Sequence, residues 1–147
     1  MIYASNKKAK FDYEILDTYE AGLVLEGQEV KSVRKGNISL KGAFISFHGT
    51  DAFLTNTHIS KYKFAGNITD YDPERSRKLL LKRKEIDFLR GKSQEKGLTI
   101  IPLSVYTKGR HIKVEIGIGR GKKKHDKRET IKQRELKREL DRTMKEI

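Results

Sequence analysis

Apolar and polar positions along the chain fall into two regimes that meet near Gly119. Before it, the period is mostly two: Phe11, Tyr13 and Ile15 alternate with Asp12 and Glu14, and Ile112, Val114, Ile116 and Ile118 alternate with Lys113, Glu115 and Gly117. Alternation of this kind predicts half-buried strands. Further strands are expected at Leu23 to Leu25 with Glu29 to Arg34, at Ala43 to Phe47, at Ala52 to Ile59 and at Leu98 to Tyr106, each bounded by Gly, Asn or Asp. His48-Gly49-Thr50-Asp51 and Lys108-Gly109-Arg110 are short enough to be hairpin loops, which makes their flanking strands antiparallel.

One main helix is predicted over about residues 73–90. Asp72 offers an N-cap, Pro73 a first helical position, Glu74 an acidic first turn, and Gly91 a stop. Leu79, Leu80, Leu81, Ile86 and Leu89 would form its apolar side, and Arg75, Arg77, Lys78, Lys82, Arg83 and Lys84 its basic one. Five or six short antiparallel strands with one helix between the fourth and fifth predict a mainly β fold. An OB-fold-like antiparallel barrel with short helical segments is expected, and an SH3-like barrel is the alternative.

After Gly119 the pattern thins. From Arg120 onward the large apolar side chains are Ile131, Leu136, Leu140, Met144 and Ile147, too few to offset the entropy of ordering. The sequence therefore divides into a barrel at residues 1–119 and a basic tail at 120–147, disordered when free. Leu136, Leu140, Met144 and Ile147 nonetheless draw a stripe along one helix face, so the tail can fold when a partner receives it. A helix from Thr130 to Lys145 would be about 24 Å long.

Charge changes the picture most. The 147 residues carry 33 Lys and Arg against 20 Asp and Glu, a net charge of +13, of which the tail holds +6. Such an excess points to a polyanionic partner, nucleic acid or an anionic membrane surface. The density of Arg120, Lys122, Lys123, Lys124, Lys127 and Arg128 disfavours docking of the tail on its own domain unless phosphates neutralise it, which favours RNA. A membrane surface would need a broader apolar face than the tail offers.

The longest uncharged run, Gly97 to Thr107, is eleven residues, against the roughly 20 of a spanning helix. The first residues have no apolar signal region, so a cytoplasmic location is expected. Cysteine is absent, which excludes disulfides, thiolate nucleophiles and Cys-based zinc sites. His48, His58, His111 and His125 have no metal-site spacing, and no nucleophile-elbow motif is present, so neither a metal, a cofactor nor a catalytic residue is expected. Gly117-Ile118-Gly119-Arg120-Gly121-Lys122 lacks the phosphate-loop pattern and reads as a flexible strand exit. Among the aromatics, Phe11, Phe44 and Phe53 are expected in the core, and Tyr19, Tyr62 and Tyr71, in polar or basic surroundings, are candidates to stack on bases.

Five segments taken in order are more specific than any of these patterns. They are Asn6-Lys7-Lys8-Ala9, Tyr19-Glu20-Ala21-Gly22, Gly27-Gln28-Glu29-Val30-Lys31-Ser32, Arg77-Lys78-Leu79-Leu80-Leu81 and Gly121-Lys122-Lys123-Lys124-His125-Asp126-Lys127-Arg128. In this combination the chain resembles the SsrA-binding protein family, also called small protein B, from about Asn6 to Lys145. The resemblance implies a monomeric, non-enzymatic OB-type barrel that binds the tRNA-like domain of transfer-messenger RNA (tmRNA) and brings it to stalled ribosomes. It implies an RNA-binding cluster of Asn6, Glu20 and Leu80 flanked by Lys7, Arg77 and Lys78. It also implies a tail entering the empty mRNA path near the decoding centre through Lys122, Lys123, Lys124, His125, Asp126, Lys127 and Arg128, with Met144 and Lys145 in a distal motif. Thr143 stands where that motif has an aliphatic residue.

Overall fold

The computed structural model describes residues 1–66, 70–122 and 124–145, without the side chains of 124–127, 129–130 and 144–145. Among the described residues, nine strands and four helices follow one another as β1 (Ile2–Ser5), α1 (Lys7–Asp12), β2 (Tyr13–Leu23), α2 (Gly27–Arg34), β3 (Ile38–Ser39), β4 (Phe44–His48), β5 (Asp51–Thr55), β6 (His58–Ile59), β7 (Arg77–Leu80), α3 (Arg83–Ser93), β8 (Leu98–Lys108), β9 (His111–Gly121) and α4 (Lys124–Lys145). Seven strands form one antiparallel sheet in the order β1-β8-β9-β2-β7-β5-β4, and β3 pairs with β6 separately. The sheet curls until β4 packs against β8, giving the barrel of OB type that the strand pattern predicts.

The two expected hairpins are present: His48 pairs with Asp51 and Lys108 with His111. Inward-facing Ile45, Leu54, Leu79, Ile100, Val105, Val114 and Ile116 fill the barrel, and Ile86 and Leu89 of α3 close it. A second, smaller core lies outside the barrel, where Ala9 of α1 covers Ile101 and Leu103, with Tyr13 and Ile15 alongside. Register shifts at Ile15/Asp17 and Pro102/Ser104 make this possible, because an extra residue turns the following side chains to the opposite face.

That outer core corrects the reading of Gly117 to Gly119 as a flexible exit. Both glycines are buried in β9, and a Cβ on Gly117 would stand 2.9 Å from Leu103 Cδ1. The absent side chains are what let Leu103, Ile15, Ile101 and Tyr13 of the neighbouring strands pack across β9 in this outer core. Strand pairing continues to Gly121, two residues past the boundary read from composition.

The main helix is also shifted. Residues 77–80 are strand β7, and the helix spans Arg83–Ser93 instead of 73–90. Asp72 does cap a turn, accepting from the Glu74 N–H at 2.9 Å, but the chain leaves that turn extended. Arg77 and Leu79 then point inward while Lys78 and Leu80 point outward, a period of two that runs of charged and leucine residues had disguised. Glu29 to Arg34, read as strand, lies in α2: Glu29, Ser32 and Val33 are its buried residues, at helical spacing. None of Phe11, Phe44 and Phe53 enters the core; Phe44 is exposed and the other two are half-buried.

Candidate nucleic-acid interface

The site is built on β2, β7, β8 and β9, whose alternation sends one set of side chains into the core and the next outward. Ala21, Leu79, Val105 and Val114 go in. Glu20, Gly22, Lys78, Leu80, Tyr106, Lys108 and Lys113 go out, aligned by the pairs Gly22 with Leu80, Gly22 with Lys113, and Tyr106 with Lys113. Gly22 matters because Leu80 leans across it: a Cβ there would stand 3.1 Å from the Leu80 Cβ. Leu80 remains 57 % exposed, an apolar plate at the surface instead of the packed helix residue its neighbours suggested. Lys78 lies two residues before Leu80 on the same face and pairs loosely with Asp51 at 3.6 Å.

Glu20 organises the other side of this face. The Tyr106 hydroxyl donates a short hydrogen bond to its Oε2, and the Lys108 ammonium donates to its Oε1 at 3.3 Å. The bond from Tyr106 is the main cause of a lowered Glu20 pKa; partial burial opposes it, and Lys108 and Lys113 add to it. Tyr106 is pushed well above the ordinary phenol range, first by burial and then by the Glu20 carboxylate it donates to. Glu20 is thus a carboxylate and Tyr106 a phenol across the working pH range. Each carboxylate oxygen has lone-pair capacity left to accept from a base amino group or a ribose hydroxyl.

The other expected residues separate. Asn6 caps α1, accepting from the Ala9 N–H at 3.2 Å, while its amide donates to the Pro102 carbonyl at 3.0 Å. It fastens the β1–α1 corner to the bulge in β8, and Lys7 beside it is exposed. Ser5, the last residue of β1, lines up with Glu20 through Ser104 and Glu115, so this corner lies on the same outer face three strands away, roughly 14 Å at ordinary strand spacing.

Arg77 leaves the interface altogether. It is fully buried, with Nε and Nη2 donating to Glu29 Oε2 at 2.9 and 2.6 Å and Nη1 to the Thr57 carbonyl at 2.6 Å. Arg75, placed on a basic helix face by the sequence, also donates to Glu29, and so does the Tyr71 hydroxyl, at 2.9 Å. Burial alone would raise the Glu29 carboxyl; the bonds from Arg75, the Glu26 N–H, Arg77 and Tyr71 outweigh it and lower it. Tyr71 is therefore a structural residue and not a stacking one. Tyr19 faces the core and rests against Phe88, ring centroids 6.3 Å apart.

In the tail, α4 spans Lys124–Lys145, about 33 Å. Leu136 and Leu140, the two described side chains of the predicted stripe, are exposed, and Arg134 lies over the Phe11 ring of α1 at 5.5 Å. Lys122 is half-buried and Arg128 exposed. Lys123 and Ile147, with the side chains of Lys124, His125, Asp126, Lys127, Met144 and Lys145, lie outside the described residues.

Sequence reasoning missed Tyr106, Lys108 and Lys113. The signal was present: the Lys108-Gly109-Arg110 hairpin sets the register that brings Tyr106 opposite Lys113, and the Ile112/Val114 alternation puts Lys113 outside. Among the described residues, no helix is long and apolar enough to cross a membrane, and no group of three or more His, Asp or Glu side chains is placed to hold a metal ion.

The family model described as SmpB protein matches residues 3–146. The chain is 52 % identical to an SsrA-binding protein of Prochlorococcus marinus over 142 residues, covering 97 % of this chain and 86 % of that one. It is 50 % identical to an SsrA-binding protein of Enterococcus faecalis over 144 residues, covering 98 % and 93 %. A solved structure described as "tmRNA-SmpB: a journey to the center of the bacterial ribosome" superposes with a TM-score of 0.68 at 43 % identity, covering 86 % of this chain and 92 % of that one. With nearly its whole length matched at this identity, the chain belongs to the SmpB protein family.

Proposed function

We propose that the chain binds the tRNA-like domain of tmRNA through the outer face of β2, β7, β8 and β9, and delivers that RNA to stalled ribosomes for trans-translation. The observation that carries the reading is the clustering of Glu20, Tyr106, Lys108, Lys113, Lys78 and Leu80 on one face. Three lysines meet phosphates, a fixed carboxylate accepts from base or ribose donors, and Leu80 offers an apolar surface to a sugar or base. The SsrA-binding relatives and the tmRNA–SmpB neighbour support the choice of RNA. Asn6 acts by holding the corner that presents Lys7, and Arg77 by holding β7, which presents Lys78 and Leu80.

The chain acts as a binding factor in the cytoplasm, without catalytic chemistry or a cofactor. Its tail, free of enough apolar surface to hold itself, is disordered alone and takes the α4 helix when ribosomal phosphates surround it. In that state residues 122–128 contact the decoding region, and the distal stripe with Met144 and Lys145 lies in the vacant mRNA path.

Competition binding tests the partner: the tRNA-like domain against ordinary tRNA and a random RNA, at about 150 mM monovalent salt, where nonspecific attraction is reduced. A clear preference for the tRNA-like domain is expected, and equal affinities would leave only a general basic RNA binder. Truncation after Lys122, which keeps β9 whole, is expected to preserve this affinity and abolish peptide tagging on stalled ribosomes; loss of both together would contradict the division of labour.

A further inference from the structure

Tyr62 is the one of the three stacking candidates that the fold does not use internally. It sits in the loop between β6 and β7, in the alternating run Lys61-Tyr62-Lys63-Phe64. The loop is fastened to the α2 side of the barrel at several points. Ser32 Oγ donates to the Ser60 carbonyl at 2.5 Å, the Ser60 N–H to the Asn37 carbonyl at 3.1 Å, and the Tyr62 N–H to Gln28 Oε1 at 2.9 Å. The Ala65 N–H closes a turn onto the Tyr62 carbonyl at 3.0 Å.

This platform presents two rings edge to face, with centroids 5.6 Å apart at 70°, and leaves Phe64 74 % exposed. Lys31 reaches over the Tyr62 ring at 5.6 Å and Lys63 over the Phe64 ring at 5.7 Å. Arg34 and Lys35 of the α2 end add charge, while the one carboxylate in residues 27–36 and 60–66, Glu29, is buried and held by arginines. An exposed aromatic face inside a field of cations matches a nucleotide, whose base has a π-face and whose phosphate needs a cation. A duplex keeps its bases stacked on each other and does not offer those faces.

We propose that Tyr62 and Phe64, with Lys31 and Lys63, form a stacking site for unpaired RNA nucleotides, separate from the Glu20 face. The two are linked along one edge, since Arg34 reaches the Arg110 carbonyl in the β8–β9 turn, whose strands carry Lys108 and Lys113. The site rests on the loop's own chemistry and does not depend on which structured RNA the Glu20 face selects.

The test uses the full chain and an eight-nucleotide oligoadenylate carrying one 4-thiouridine, at about 50 mM monovalent salt where phosphate contacts remain strong. Photo-crosslinks are expected at Tyr62 or Phe64. Phe64→Ala is expected to weaken oligoadenylate binding about tenfold, Phe64→Tyr to restore it, and neither to change the denaturant midpoint. Phe64→Ala removes no cation and leaves the salt slope unchanged, whereas Lys63→Ala lowers it by about 0.7. Unchanged affinity in Phe64→Ala, an equal loss with a duplex of the same length, or crosslinks confined to the tail would overturn the proposal. Phe64-dependent binding to phosphatidylserine vesicles with none to oligoadenylate would overturn it too, assigning the loop to a membrane surface. Failure of the tRNA-like-domain competition leaves these outcomes unaffected, so the two readings fail separately.

Discussion

Two clusters in this molecule use the same chemistry for opposite ends. At Glu29, two arginines and the Tyr71 hydroxyl converge on one carboxylate; at Glu20, a lysine and the Tyr106 hydroxyl do the same. Glu29 and Arg77 are fully buried, joining α2, β7 and the turn before it, whereas Glu20 and Lys108 lie at the surface. In a medium of low dielectric, the removal of one partner leaves a charge without solvent, so the buried cluster is committed to holding the fold. Near water the same groups can exchange partners at small cost, which leaves Glu20 able to meet an RNA. Burial, and not residue type, separates the structural set from the set proposed for recognition.

The largest expected effect of breaking this contrast is on the buried side. Glu29→Ala strands Arg77 in the interior and should cost about 3–5 kcal/mol of stability, measured by urea unfolding. An effect under about 1 kcal/mol would mean that water or a neighbouring group can replace the carboxylate. A pH titration of the urea midpoint sharpens the same point. The folded pKa of Glu29 is lowered, so its contribution is present above the ordinary carboxylate value near about 4.3 and is lost as pH falls through the folded value. Glu29→Gln should accordingly flatten the acid limb below about pH 4.3, while Glu20→Gln changes it far less.

Smaller effects belong to the surface. Tyr106→Phe should leave the urea midpoint nearly unchanged and weaken binding of the tRNA-like domain several-fold, because Glu20 loses the donor that orients it. Gly22→Ala puts a Cβ against Leu80 and should displace that side chain, lowering affinity a few-fold with little loss of stability. If Gly22→Ala lowers the midpoint as much as the affinity, Leu80 is a packing residue and not part of the RNA face.

Much of this fold was readable where the determining signal is local. The β8–β9 hairpin needs only its alternation and its turn, and both were visible. The segment from Asp72 to Leu81 shows the limit: its cap and proline are helix signals, yet they serve one turn, because β7 is defined by pairing with β2 and β5, which lie far away in sequence. Arg77 shows why the site was only partly legible. An arginine beside Lys78 looks like another phosphate contact until the chain brings Glu29, 48 residues away, against it. Glu29 to Arg34 was expected as a strand, but the buried spacing of Glu29, Ser32 and Val33 and the Glu29 carboxylate bonded to the Glu26 N–H at 2.9 Å favour helix. Glu20, Lys78 and Leu80 came from the family resemblance; their common face emerges only from the strand register.

The central claim is that the Glu20 face recognises RNA without holding the fold. Its most direct test measures, on one preparation of Glu20→Gln, both the affinity for the tRNA-like domain of tmRNA and the urea midpoint. The account predicts an affinity lowered about tenfold or more, with a midpoint matching that of the unsubstituted chain. Unchanged affinity, or a loss of affinity accompanied by an equivalent loss of stability, would contradict it.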